Sequence, residues 1–258
     1  MRISLNRRFY KKYLDDVKTN LKQGDYFSEG VLTESDIQSL PEPVKNYLRY
    51  TCSLGKPKVN RFKIEFAGGI RKDEQSEWMK FESEQYNFMQ IPTRLFFLRA
   101  TMKHLPVTGY HCFKNGNAYM DIRLFSLFKV QYLDGENMNM AETVTFFNDM
   151  CCMAPPTLID KRINWLEVAG NTVKASFTNN GITIFAWLHF NDKGELINFI
   201  SNDRYAADAG KKLPWATPLK DYKEINGYRL AGYAEAIYSY PKGDLCYGTF
   251  TLDSIVYN

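Results

Sequence analysis

Histidine is the scarcest chemistry-bearing residue in this 258-residue chain: only three occur, His104, His111 and His189. None stands at a metal-ligand spacing from another His or a Cys, and His111 and Cys112 are neighbours whose side chains fall on opposite faces of a strand. No metal centre and no cofactor is expected. Cysteine is sparse and odd in number, namely Cys52, Cys112, Cys151, Cys152 and Cys246. An odd set with two adjacent members is no disulfide framework; it reads as buried thiols in a reducing compartment, hence a cytoplasmic expectation. No apolar run is long enough to span a bilayer, and neither a signal peptide nor an Asn-x-Ser/Thr acceptor is recognised. The Gly-x-Ser-x-Gly elbow, the phosphate loop and the dinucleotide fingerprint are all missing, which removes the enzyme classes that depend on them. Charge of one sign is missing too. Lys and Arg number 33 against 29 Asp and Glu, a net +4, and no dense basic stripe appears, so no nucleic-acid partner is expected.

Aromatic residues are what the chain has in quantity, with 17 Tyr and 18 Phe. They fit a pleated, half-buried surface and favour sheets. From Pro57 onward apolar residues alternate with polar ones, as in Phe62, Ile64 and Phe66 against Lys63 and Glu65. Tight-turn pairs punctuate the pattern at Asn115-Gly116, Asn180-Gly181 and Asn226-Gly227. About twelve strands joined by short turns predict antiparallel meanders, and that many strands in one sheet must curl. The predicted fold class is mainly β with a few helices (α+β): a single large curved antiparallel sheet or partial barrel with helices packed on its concave side. The expected organisation is an N-terminal helical extension over 1–39 and a single curved β domain over 40–258.

One apolar helix, 137–159, interrupts the strands and stops at Pro155-Pro156. At 100° per residue Met140, Val144, Phe147 and Cys151 share one stripe, and Glu142, Thr145 and Asp149 share another. A carboxylate on so apolar a helix is either paired or functional, and Arg204 offers a counter-ion. Glu235 lies mid-strand among Ala234 and Ala236 and points either into a cavity or to solvent; the small residues around it would let a helix or a ligand approach closely. At the start of the chain Phe9, Tyr13, Val17 and Leu21 recur at helical spacing, with Arg7, Arg8, Lys11 and Lys12 opposite them. Residues 1–23 therefore predict an amphipathic helix that docks on the domain's own sheet, with peripheral membrane contact as the alternative.

The order Leu40-Pro41-Glu42-Pro43-Val44-x-x-Tyr47-Leu48, Trp78-x-x-Phe81-x-x-x-Gln85-Tyr86, Asn148-Asp149, Asp203-Arg204-Tyr205, Trp215, Tyr222 and Gly227-Tyr228-Arg229 resembles a bacterial domain family of unknown function. The likeness runs from Leu40 to the C-terminus. It implies a fold similar to the lipoprotein-carrier class, in which a curved antiparallel sheet holds helices over an apolar cavity. Two departures stand out: His111-Cys112-Phe113 where relatives often show Asp-x-Tyr, and Ala118 where Gly is common. The function expected first is non-catalytic binding or carriage of a lipid or other apolar small molecule. In that reading Met140, Phe147 and Met150 line the cavity, Glu142 and Arg204 fix the helix or a ligand head group, and Tyr222 and Glu235 are further ligand contacts. The alternatives are a hydrolase- or isomerase-like enzyme using Glu142 or Glu235 as base beside Arg204, and a scaffold with a fully packed core.

Overall fold

A computed structural model of the chain describes residues 7–23 and 30–258. Three helices come first, α1 (Arg7–Gln23), α2 (Glu34–Ile37) and α3 (Glu42–Tyr50). Six strands follow: β1 (Arg61–Ile70), β2 (Met79–Phe88), β3 (Thr93–Met102), β4 (Leu105–Lys114), β5 (Asn117–Leu124) and β6 (Phe128–Asp134). Helix α4 (Glu136–Met153) and the 3-10 turn Pro155–Ile159 come next. Then come β7 (Ile163–Ala169), β8 (Thr172–Asn179), β9 (Ile182–Phe190), β10 (Leu196–Ser201), the two-residue strands β11 (Tyr205–Ala206) and β12 (Lys211–Lys212), β13 (Trp215–Ile225), β14 (Tyr228–Tyr240) and β15 (Gly243–Tyr257). The segment 205–212 is a small hairpin of its own.

Thirteen strands form one antiparallel sheet in the order β6-β5-β4-β3-β2-β1-β15-β14-β13-β10-β9-β8-β7. Two meanders are thus joined at the middle, where the first strand pairs with the last. Asn115, Asn180 and Asn226 all adopt positive φ before a positive-φ glycine, the geometry that lets a two-residue turn follow the twist of its strands. At the central seam β1 has a register shift between Glu65 and Phe66, and a Cβ on Gly68 would fall 1.9 Å from the Thr249 carbonyl. Only glycine lets these two backbones meet so closely.

Helix α4 connects β6 to β7, the two opposite edges of the sheet. A flat sheet of this size would be about 58 Å wide at ordinary strand spacing. Eighteen helical residues cover only about 27 Å. The sheet must therefore curl round the helix, and α4 touches β5 and β6 on one side, β14 in the middle and β9 and β10 on the other. The curl stops short of closure, since β6 and β7 remain edges.

Strand β3 is buried on both faces from Thr93 to Leu98. Arg94, Phe96 and Leu98 point to the concave side, whereas Leu95 and Phe97 point outward with Tyr110 and Cys112 of β4. Helix α1 covers that outer face with Phe9, Tyr13 and Val17. The ring of Tyr13 lies 5.4 Å from that of Phe97 and 5.6 Å from that of Tyr110. So α1 sits on the convex side, unlike α4, and the apolar face that a membrane would need is already covered by the sheet. Met1–Asn6, the start of the predicted helix, lies outside the described residues.

Helix α3 closes one end of the trough. Tyr47 packs on Phe190 and donates to the Cys151 carbonyl at 2.9 Å, and Tyr257 donates to the Met153 carbonyl at 2.5 Å. Both bonds satisfy carbonyls at the buried C-terminal end of α4 that have no partner within the helix.

Candidate functional site

The hydrophobic face of α4 is filled on one side of the trough only. Phe147 stacks on Phe177 with ring centroids 5.3 Å apart and meets Phe199 edge-on at 5.7 Å, and Phe146 bridges Phe113 and Phe177. On the other side, facing β1 to β3, β13 and β15, the sheet stands away from the helix. A cavity of about 990 Å³ occupies the gap. Phe66, Phe96, Leu98, Met120, Ile122 and Phe250 form much of its apolar wall. Ala234 and Ala236 on β14 contribute walls of small volume, which keeps the space open. Exposed residues border it at the β1–β2 connection (Lys72, Gln75, Trp78) and at the β3–β4 turn (Met102, Lys103). Because the strands alternate in direction, this mouth lies at the opposite end of the sheet from α3.

The polar stripe of α4 faces the cavity. Glu142, Thr145 and Asp149 all lie on its wall, with Asn148 between them. Their main counter-ion is Arg94 of β3, not Arg204. Arg94 donates from Nε to Asp149 Oδ2 at 2.8 Å, from one terminal nitrogen to Glu142 Oε2 at 3.1 Å and from the other to Gln85 Oε1 at 2.9 Å. Gln85 and Asn87 of β2 also donate to Asp149 Oδ2, at 2.8 and 3.1 Å. His111 Nδ1 lies 3.9 Å from Glu142 Oε1.

This cluster is electrostatically uneven. Burial would raise the Glu142 carboxyl, but the charge of Arg94, with His111 and Arg204 nearby, outweighs it and holds the group at about 2. Burial dominates at Asp149 and pushes it upward against the pull of Arg94 and Asn87. A carboxylate held as low as Glu142 is a weak proton acceptor near neutral pH, so the arrangement suits fixing α4 to β2 and β3 better than general-base chemistry.

Arg204 approaches α4 from the other wall. It follows β10 at the mouth end of the sheet and also lines the cavity. Its Nε donates to Thr145 Oγ1 at 3.3 Å and a terminal nitrogen donates to the Tyr238 hydroxyl. Its guanidinium lies 4.7 Å from the Trp215 ring centroid. Burial works against its charge, but the Tyr238 and Tyr247 oxygens and Glu142 outweigh that effect, and its pKa is raised.

Of the residues singled out in the sequence, Glu142, Arg204 and Glu235 border the cavity. Glu235 nevertheless accepts a hydrogen bond from Tyr233 at 3.1 Å, two residues away on the same strand face and out of phase with Ala234 and Ala236. Phe147 and Met150 are fully buried in the core beside β8 to β10, and Met140 packs at its edge, so none of the three is on the cavity wall. Tyr222 lies near α3, its hydroxyl donating to the Leu196 carbonyl at 2.8 Å and its ring against Tyr50. Sequence reasoning missed Arg94, Gln85, Asn87 and His111. The available signal was an arginine and two amides at inward-facing positions of β3 and β2. Among the described residues no group of three or more His, Cys, Asp or Glu is placed to hold a metal ion.

A curled, unclosed antiparallel sheet that wraps one buried helix and keeps an apolar cavity beside it defines a cavity-bearing class of β-rich protein. The chain belongs to DUF6544, a family of unknown function, whose model matches residues 30–250. Among solved structures, a domain described as an outer membrane lipoprotein-sorting protein from Vibrio parahaemolyticus is similar at 10% identity, covering 77% of this chain and 86% of that one with a TM-score of 0.44. A LolA superfamily protein from Nitrosomonas europaea is similar at 8% identity, with 83% and 93% covered and a TM-score of 0.44. A DUF1329 family protein from Desulfovibrio piger is similar at 9% identity, with 84% and 92% covered and a TM-score of 0.41. No curated protein matches the chain.

Proposed function

We propose that this protein binds or carries a lipid or other apolar small molecule in the cavity between the curled sheet and α4, and performs no chemistry on it. The observation that carries this reading is the cavity itself: about 990 Å³ of space walled by Phe66, Phe96, Leu98, Met120 and Phe250. Protein interiors are packed as densely as organic crystals, with few voids larger than a water molecule. A space at the upper end of the range of ligand pockets, about 300–1,000 Å³, is a built feature. Its mouth also offers apolar surface, with Trp78 41% and Met102 48% exposed. Of the carboxylates that could serve an enzyme, Glu142 and Asp149 are engaged by Arg94, Gln85 and Asn87, and Glu235 by the Tyr233 hydroxyl.

Native mass spectrometry of freshly purified protein, followed by organic extraction, tests the reading. A co-purifying lipid, or saturable uptake of a fluorescent apolar probe at one site per chain, is the expected result. A clean apo mass together with no probe uptake overturns it.

A further inference from the structure

The two arginines that reach α4 are not equivalent. Every side-chain nitrogen of Arg94 has a partner, and two of the three partners are carboxylates. Arg204 spends its bonds on two neutral hydroxyls, those of Thr145 and Tyr238. Among the described residues no carboxylate oxygen lies within ion-pair distance of it, and its second terminal nitrogen has no hydrogen-bond partner. The nearby hydroxyls have other commitments. Thr145 donates to the Ala141 carbonyl at 3.0 Å and Tyr238 to the Tyr205 carbonyl at 3.0 Å, so both can only accept from Arg204. Trp215 and the stacked pair Tyr238–Tyr247 hold the guanidinium in place, with Trp215 tied to the Tyr247 hydroxyl at 3.0 Å.

The result is a charged, planar, pre-oriented guanidinium with one unpartnered terminal nitrogen on the wall of a largely apolar cavity. Such a group matches an anion that accepts a charge-assisted N–H bond. Arg204 is half-buried, so its unpartnered nitrogen is open to the cavity, and an anion arriving there gains a charge-assisted hydrogen bond in surroundings more apolar than water. Arg204 lies at the mouth end of the sheet, whereas the apolar wall extends from it across β1 to β5. That layout places a head group towards the opening and an aliphatic tail along Phe66, Phe96, Leu98 and Phe250.

We propose that Arg204 anchors the ligand, and that the ligand is an amphiphile with an anionic head, a carboxylate or a phosphate, on a long aliphatic chain. This rests on the carriage reading given above. It is tested by measuring oleate, oleyl phosphate and oleyl alcohol against the full chain, through displacement of a fluorescent apolar probe below the concentration at which each aggregates. At least one anion is expected to bind about 10- to 100-fold more tightly than the alcohol, the size of a charge-assisted hydrogen bond; which anion does so separates carboxylate from phosphate. In Arg204→Met the preference is expected to fall to within about 2-fold with the alcohol's affinity retained, and Arg204→Lys, which keeps the charge and the fold but loses the planar guanidinium, falls between. Equal binding of all three molecules by the wild type overturns the head-group assignment and leaves carriage standing. A preference undiminished in both variants overturns the role of Arg204. If none of the three displaces the probe, the carriage reading fails and this inference fails with it.

Discussion

The two sides of α4 meet the same sheet in opposite ways. Towards β8, β9 and β10 the contact is solid: Phe146, Phe147, Phe177 and Phe199 interlock, and each is fully buried. Towards β1, β2 and β3 the helix presents Glu142, Thr145 and Asp149, and the sheet answers with Arg94, Gln85 and a gap. A loosely packed core would be expected to collapse, because voids forfeit dispersion contacts. Here the gap persists because a hydrogen-bonded brace holds the helix at a fixed distance from β2 and β3. One side stabilises by burial, and the other spends stability to keep space.

The strongest test of that contrast is Phe147→Ala. It removes a ring with two aromatic neighbours from the packed side, and a loss of about 3–5 kcal/mol is expected by chemical denaturation. The affinity for an apolar probe should stay unchanged in the fraction that remains folded. A clear loss of probe affinity would mean that the two sides are one continuous site.

Arg94→Met attacks the brace. It strands Glu142 and Asp149 as buried carboxylates, and the cost should be about 3 kcal/mol at neutral pH, the low end for a broken buried pair because this one borders the cavity. The sign with pH follows from Glu142, whose carboxyl falls from the ordinary 4.5 to about 2 in the folded chain. A lowered folded pKa contributes stability that is present above the ordinary value and is lost as pH falls through the folded one. The gap between wild type and variant should therefore be widest above pH 4.5 and shrink towards about 2. Asp149, pushed up by burial, opposes this trend in the wild type and makes it shallower. Denaturant midpoints measured through that interval decide the matter; a gap independent of pH would remove Glu142 from the account.

Much of the fold was legible because its turns and alternation are local signals. The Asn-Gly pairs and the stop at Pro155-Pro156 follow from chemistry within a few residues. The stripe Glu142, Thr145 and Asp149 was legible for the same reason, since helical spacing alone puts them on one face. Their partner was not. Arg94 is 48 residues from Glu142 and 55 from Asp149, in a strand whose run Leu95-Phe96-Phe97-Leu98 hides its alternation because α1 covers the outer face. Arg204, beside Asp203 in a conspicuous motif, attracted the assignment instead. Phe147 and Met150 were misplaced for another reason: apolarity says that a helix face is covered, and does not say whether side chains or a ligand cover it. The pairing of β1 with β15 at the centre of the sheet depends on the whole chain, so no local pattern announces it.

The mildest change gives the sharpest separation of the two sides. Ala234 faces inward on β14 between Leu219 and Phe250 of its neighbour strands, and borders the cavity. In a filled core, Ala→Leu would force side chains off their rotamers at a cost of about 1–3 kcal/mol. Here the added atoms have room, so Ala234→Leu should change stability by less than about 1 kcal/mol. The same atoms occupy volume that a ligand tail would need, so uptake of an apolar probe should fall by about 10-fold, equivalent to about 1.4 kcal/mol of binding. Thermal denaturation and probe titration of the one variant read both quantities. A large loss of stability would show that the space beside β14 closes in solution, whereas unchanged uptake would put the ligand elsewhere in the trough. Stability retained with uptake lost is the outcome that a held-open cavity requires, and a packing fault would not give both.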